Sequence, residues 1–182
     1  MEHFYQHIPG WFDFEDVYKD MVEKSPTSAH FVEVGVHLGK SAAFMSVEIA
    51  NSGRDIKFDC VDPWDGRSEN GNGYTNSIDQ FHQNMLSVAD YYNAVQAASP
   101  DVAATYQDQS LDFVWIDAIH LYDNIKADIE AWLPKIKLGG YIGGHDYAVG
   151  HENGIERAVT ELLPNHTVHH GNLVDSWIFQ KI

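Results

Sequence analysis

The chain has 182 residues, 44% of them hydrophobic and 13% aromatic, which is the size and apolar content of one domain with a full core. Its 11 Lys and Arg against 27 Asp and Glu leave a net charge of −16, spread along the chain, a field that repels nucleic acid and anionic membranes and favours a small, neutral or cationic partner. No apolar run approaches the ~20 residues that cross a bilayer, the N-terminus lacks a basic segment followed by an apolar one, and the lone Cys60 sits in an apolar run, so the expectation is a cytoplasmic protein with one buried, reduced thiol.

Apolar runs alternate with amphipathic stretches, with no internal repeat, which is the α/β pattern. An amphipathic helix over about Phe14 to Lys24 is ended by Ser25-Pro26. The first strand, Ala29 to Val34, is followed by a helix from Lys40 to Asn51 with Ala42, Phe44, Met45, Val47 and Ile49 on its apolar side and Gly53 as its cap. The second strand, Lys57 to Val61, leads into the polar stretch from Asp65 to Tyr74, which cannot bury a core face and has the length of a lid loop. A helix over Ser77 to Ser87, a third strand over Asn93 to Ala98 and a short helix after Ser99-Pro100 come next. The fourth strand, Leu111 to Ile116, is nearly all apolar, as a strand covered on both faces should be. A helix over Asn124 to Ile136, a fifth strand over Tyr141 to Gly144 opened by Gly139-Gly140, and a helix over Ile155 to Leu163 complete five β-α units. Two last strands, Thr167 to His170 and Ser176 to Gln180, form a closing hairpin around Gly171-Asn172. One α/β domain over 1–182 follows, with residues 1–28 as a helical cover.

The first strand enters its helix through Glu33-Val34-Gly35-Val36-His37-Leu38-Gly39-Lys40-Ser41. Two glycines in such a turn present bare backbone to a ligand, and the helix that follows offers unpaired N–H groups. The spacing lacks the close glycine pair of the dinucleotide fingerprint and the long phosphate loop of nucleotide hydrolases, and Glu33 would repel a pyrophosphate, so a nicotinamide oxidoreductase is disfavoured. Asp62 ends the second strand at about the 20-residue offset that nucleoside-binding α/β units use, where a carboxylate accepts hydrogen bonds from ribose hydroxyls. Trp64 beside it can stack on adenine.

Glu-x-Gly-x-x-x-Gly, with Ile116-Asp117-Ala118-Ile119-His120-Leu121-Tyr122 after the fourth strand and Gly139-Gly140-Tyr141-Ile142-Gly143-Gly144-His145-Asp146-Tyr147 on the fifth, resembles the small-molecule O-methyltransferase branch of the class I S-adenosylmethionine-dependent methyltransferases. The match covers most of residues 29–165. It departs at Ala118-Ile119, where Gly-Asp is usual, and at His145, where the branch usually has an acid. The resemblance implies a Rossmann-like, seven-stranded, mostly parallel sheet of order 3-2-1-4-5-7-6 with helices on both faces. It implies S-adenosyl-L-methionine as cofactor, with Glu33, Gly35, Gly39 and Ser41 at its methionine portion, Asp62 and Trp64 at its nucleoside, Ser99 against the adenine and Asp117 near the methyl group.

In that strand order Asp117 and Asp146 end adjacent strands and converge over one crevice, flanked by His120 and His145. These four are the candidate catalytic residues, because unpaired acids at strand ends are costly unless used. Asp117, His145 and Asp146 are a candidate ligand set for Mg2+ or another divalent cation that acidifies an acceptor hydroxyl. His120 or His145 could instead take the proton directly, and His151 could join either arrangement; the two routes stay open. Tyr74, Tyr122 and Tyr147 are candidate walls of the acceptor pocket. The function expected is methyl transfer to a hydroxyl of a small molecule such as a sugar or a phenol. The alternative is a regulatory domain that binds S-adenosylmethionine without turnover. An oligomer is compatible with the sequence, and nothing in it identifies the acceptor.

Overall fold

Leu111–Ile116 is buried along its whole length and lies at the middle of the fold. In the computed structural model, which describes residues 1–66, 77–148 and 153–182, this strand is β4 of a seven-stranded sheet. The others are β1 (His30–Val34), β2 (Lys57–Asp62), β3 (Asn93–Gln96), β5 (Ile136–Tyr147), β6 (Thr167–His169) and β7 (Asp175–Gln180), and the order is β3-β2-β1-β4-β5-β7-β6. Neighbours from β3 to β5 run parallel, whereas β7 is inserted antiparallel between β5 and β6. The order implied by the resemblance is therefore the order found.

Alternation along β4 divides the core in two. Phe113 and Trp115 face a layer that includes α1 (Glu15–Lys24) and α2 (Lys40–Ser52), with Tyr18, Met21, Phe44 and Met45 buried there. Val114 and Ile116 face the other way, against Ile125, Ile129 and Trp132 of α5 (Tyr122–Trp132) and Ile155 and Val159 of α6 (Gly154–Leu162). Each such side chain, fully buried, contributes ~1.5–3 kcal/mol, so both layers are strongly held. At the amino ends of the strands, Asp59 closes the sheet by bonding His30 Nε2 at 2.7 Å, Asn93 Nδ2 at 3.1 Å and the Tyr106 hydroxyl at 2.8 Å. The opposite, carboxyl edge is left for a ligand.

Local differences from the expected elements have identifiable causes. The helix expected to reach Ile136 stops at Trp132, because Leu133-Pro134-Lys135 turns into a short 3-10 helix and Pro134 has no N–H to donate. Ile136 instead opens β5, which is much longer than Tyr141 to Gly144. Gly139, at φ +83°, and Gly140 lie inside it at an irregularity that shifts its register against β4. The helix expected over Ser77 to Ser87 divides into α3 (Ile78–Asn84), capped by the Ser77 hydroxyl accepting from Gln80 N at 3.2 Å, and a 3-10 segment at Leu86–Tyr91. Gly53 caps α2 in the left-handed conformation at φ +65°, and Cys60 is buried and free, both as expected. The lid stretch from residue 67, with Tyr74, and His151 lie outside the described residues. No helix among the described residues is long and apolar enough to cross a membrane.

Ser99 opens α4 (Ser99–Ala103) and docks it on α5: its hydroxyl donates to Asp128 Oδ1 at 2.5 Å and accepts from Trp132 Nε1 at 2.9 Å. Burial pushes Asp128 up to about 6, against the hydrogen bond from Ser99. A folded-state carboxyl that holds its proton above the unfolded value stabilises the fold less as pH rises from the unfolded to the folded pKa. Between pH 4 and 6 the wild type is expected to lose ~2 kcal/mol of unfolding free energy relative to Asp128→Asn, measured by urea denaturation at a series of pH values.

Candidate active site

The turn after β1 is built by close approach rather than by side chains. Gly35 has φ +88°, and a Cβ there would lie 2.1 Å from the Asp117 carbonyl oxygen. Gly35 N donates to Val61 O at 2.8 Å, and Asp117 N donates to Val34 O at 2.8 Å, so the ends of β1, β2 and β4 meet at this glycine. Gly39, at φ +91°, caps α2 with Met85 and Phe81 pressed against the space a Cβ would take. His37 between them also has positive φ, +49°, an uncommon state for a residue with a side chain.

Asp62 holds that turn in place. Its Oδ2 accepts from His37 N at 3.0 Å and its Oδ1 from Trp64 N at 2.8 Å, and burial raises its pKa despite those bonds. Trp64 is 5% exposed, tilted against Phe81 at 4.9 Å, and its Nε1 donates to His37 O at 2.9 Å. Its indole is thus a core and clamping group with no open face for adenine, which corrects the expectation from sequence. Ser99 is corrected likewise, since its hydroxyl is committed to Asp128 and Trp132.

Glu33 lies beneath the turn at 1% exposure. Its Oε1 accepts the Ser41 hydroxyl, and the buried Tyr18 hydroxyl is a further hydrogen-bonding neighbour of the carboxyl. Burial, reinforced by the carboxylates of Asp117 and Asp62, pushes Glu33 up to about 8. Burial thus outweighs the Ser41 and Tyr18 hydroxyls, which favour its charge, and the carboxyl keeps its proton at neutral pH.

The carboxyl ends of β4 and β5 bring the acids together. Asp146 has φ +56° and lies where the pairing of β5 with β7 slips between Gly144 and Tyr147, a bulge that turns its side chain towards Asp117. His120 Nε2 is 3.5 Å from Asp117 Oδ1 and 3.3 Å from Asp146 Oδ2. Ligand atoms of Asp117, His120 and Asp146 all fall within 4.8 Å of one another, a spacing that fits a divalent cation.

His145 has a different part from the one expected. It is 6% exposed, with Nε2 at 2.7 Å from Asp13 Oδ1 and Nδ1 at 3.2 Å from Asp146 Oδ2 and 3.9 Å from Asp117 Oδ2. Burial opposes its charge, but the hydrogen bond to Asp146 and the carboxylates of Asp117, Asp146 and Asp13 prevail and push it up to about 9. Both ring nitrogens face carboxylates, so the geometry replaces His145 with His120 in the candidate metal set. Asp13 was not foreseen, because nothing in the sequence links it to a histidine 132 positions away.

A cleft of about 450 Å³ opens over this floor, lined by Gly35, Lys40, Ser41, Asp117, His120 and Asp146 among others. Glu33 and Asp62 lie behind the lining. Tyr122 and Tyr147 do not wall it: the Tyr122 hydroxyl bonds Glu161, and the Tyr147 hydroxyl meets His166 Nε2 at 3.0 Å. Gly35→Ala is expected to lower unfolding free energy by ~3 kcal/mol or more, whereas Gly53→Ala, also at positive φ but with open space around it, should cost ~1 kcal/mol. Thermal denaturation of the two variants checks the difference.

Comparison with known proteins agrees with this geometry. A family profile described as a methyltransferase domain matches residues 32–147. The protein y4gI of Sinorhizobium fredii is 29% identical over 123 residues, 65% of this chain, which spans only 13% of that protein's length. The structure of the O-methyltransferase NovP superposes with a TM-score of 0.74 at 18% identity, covering 92% of this chain and 78% of NovP. That of the O-methyltransferase from Bacillus cereus in complex with SAH gives 0.65 at 16% identity, covering 95% and 83%. At these identities the structures establish a shared fold. The strand order, the glycine turn under the cleft and the match over residues 32–147 together place the chain in the methyltransferase domain family, on the class I methyltransferase fold.

Proposed function

We propose that the chain is an S-adenosylmethionine-dependent O-methyltransferase for a small hydroxylated acceptor, with Asp117, His120 and Asp146 holding a divalent cation at the acceptor hydroxyl. The observation that carries this reading is the trio of ligand atoms within 4.8 Å on the floor of a cleft that Gly35 and Ser41 also line. The solved O-methyltransferases of the same fold support the choice of oxygen as acceptor atom.

The residues present fit both groups. A cofactor with a cationic ammonium and sulfonium suits a cleft whose lining carries the carboxylates of Asp117 and Asp146 and the Ser41 hydroxyl. Two carboxylates and one imidazole are a hard-to-intermediate donor set appropriate to Mg2+ or Mn2+. S-adenosylmethionine, when bound, supplies a methyl group on a sulfonium, open to in-line attack. A divalent cation lowers the pKa of a coordinated hydroxyl.

The chain's own contributions follow from the geometry. The bare backbone at Gly35 admits a ligand close to the end of β4, so the reacting groups are positioned beside Asp117. Asp117 and Asp146 supply negative charge where a cation is to be held. His145, charged behind them, balances the pair and fixes the orientation of Asp146. Ile119 stands where the resembling branch has an acid, so that position supplies no carboxylate here.

His145 favours a second form of the same reading. It already presents a cation to both carboxylates, so the acid pair can serve methyl transfer without a metal. Calorimetry separates the two. The chain should bind S-adenosylhomocysteine and not NAD. In the metal-assisted form it also binds Mn2+, and Asp146→Asn weakens Mn2+ by at least ~tenfold, or ~1.4 kcal/mol, while leaving S-adenosylhomocysteine binding within about twofold. NAD binding without S-adenosylhomocysteine binding contradicts both forms, and absence of Mn2+ binding contradicts the first.

A further inference from the structure

The segment that roofs the cleft is tied down by one carboxylate. Asp13, at 8% exposure, accepts the backbone N–H of Leu173 at 2.7 Å and of Val174 at 3.0 Å on Oδ2, and meets His145 Nε2 at 2.7 Å on Oδ1. Burial works against its charge, but the two backbone donors and the imidazole prevail and hold its pKa below the usual value. The donors come from the connection between β6 and β7 and from β5. Asp13 therefore joins three chain segments that nothing in the sequence brings together. A buried carboxylate so fully partnered is costly to disturb, because each donor left behind would be unsatisfied.

The latch sets two apolar side chains at the cleft. Trp11, two positions before Asp13, is 75% exposed, and Leu173, whose N–H the latch accepts, is 76% exposed. Both line the cleft whose floor carries Asp117, His120 and Asp146. Single exposed apolar residues are ordinary, but two on one cleft above a polar floor match the anatomy of a ligand site. The cleft is thus apolar at its mouth and ionic at its base.

We propose that Asp13 is a positioning residue that latches residues 9–13 and Leu173 over the cleft, so that Trp11 and Leu173 grip an acceptor with a flat, apolar body and a hydroxyl reaching the acid floor. The chemical class is a phenol with an extended ring face. An indole offers a broad, rigid apolar surface at small entropic cost. A polyol of the same size would find one donor there, the Trp11 indole N–H, and would leave its other hydroxyls against the apolar indole face and Leu173. The inference rests on the O-methyltransferase reading and selects phenols over sugars within it.

Equilibrium titration with 2-naphthol and with methyl glucoside, each in the presence of saturating S-adenosylhomocysteine, tests it. The wild type should bind 2-naphthol at least ~tenfold more tightly than methyl glucoside, and Trp11→Ala and Leu173→Ala should each weaken 2-naphthol ~tenfold with S-adenosylhomocysteine affinity within about twofold. Asp13→Ala should weaken 2-naphthol similarly and speed hydrogen exchange at the Leu173 and Val174 amides; Asp13→Asn, which keeps an acceptor oxygen, should restore their protection. Trp11 and Leu173 are exposed, so their variants remain informative if Asp13→Ala does not fold. Unchanged 2-naphthol affinity in Trp11→Ala and Leu173→Ala, equal or tighter binding of methyl glucoside, or unchanged amide exchange in Asp13→Ala overturns the inference. Failure of the wild type to bind S-adenosylhomocysteine appears before any phenol is added and overturns the methyltransferase reading together with it.

Discussion

The site depends on how closely the backbone after β1 approaches the backbone after β4. Gly35 and the Asp117 carbonyl share a space in which no Cβ fits, and the N–H groups of Gly35 and Asp117 are committed to β2 and β1 respectively. That contact places Asp117 at the floor of the cleft and requires a residue without a side chain at position 35. Asp62 and Trp64 reinforce the arrangement from the neighbouring strand by binding His37 at its N–H and its carbonyl. The glycine turn is thus first a packing solution between parallel strands. Its value to a ligand follows from the bare surface that the packing leaves.

Charge is the second constraint. Glu33, Asp62, Asp117, Asp146 and Asp13 crowd the carboxyl edge of the sheet, and such a group of acids cannot all ionise without partners. Four of them find different partners or keep a proton. Glu33 keeps its proton, Asp62 takes two backbone N–H groups, Asp13 takes two more with His145, and Asp146 is held below the usual carboxylate range by His145 and His120 in spite of burial. Asp117 and Asp146, with His120 beside them, line the cleft, as do Asp13 and His145.

Much of this was legible in the sequence, for physical reasons. Period-2 and period-3.6 apolar patterns fixed the α/β alternation, and Leu111 to Ile116 read as a central strand because both its faces must be apolar. The motif resemblance supplied the strand order. Side-chain roles set by tertiary packing were harder. Trp64 and Ser99 occupy positions suited to a nucleoside but turn inwards to His37 and to Asp128 with Trp132. His145 and His120 are equivalent in a linear reading, and only the bulge at Asp146 and the reach of Asp13 separate them. Gly139-Gly140 looked like the opening of a strand and lies within one, since glycines mark a register shift as readily as a turn.

On the proposed reading Asp117, His120 and Asp146 form one cation site beside a cofactor seated on the Gly35 turn. A crystal grown with S-adenosylhomocysteine and Mn2+, with the ion located by its anomalous scattering, tests this directly. One ion bound by Asp117, His120 and Asp146 is expected, with the cofactor's sulfur over the Gly35 to Ser41 segment and His145 still bonded to Asp13. An ion held by His145 in place of His120, or a cofactor lying away from that turn, would contradict it.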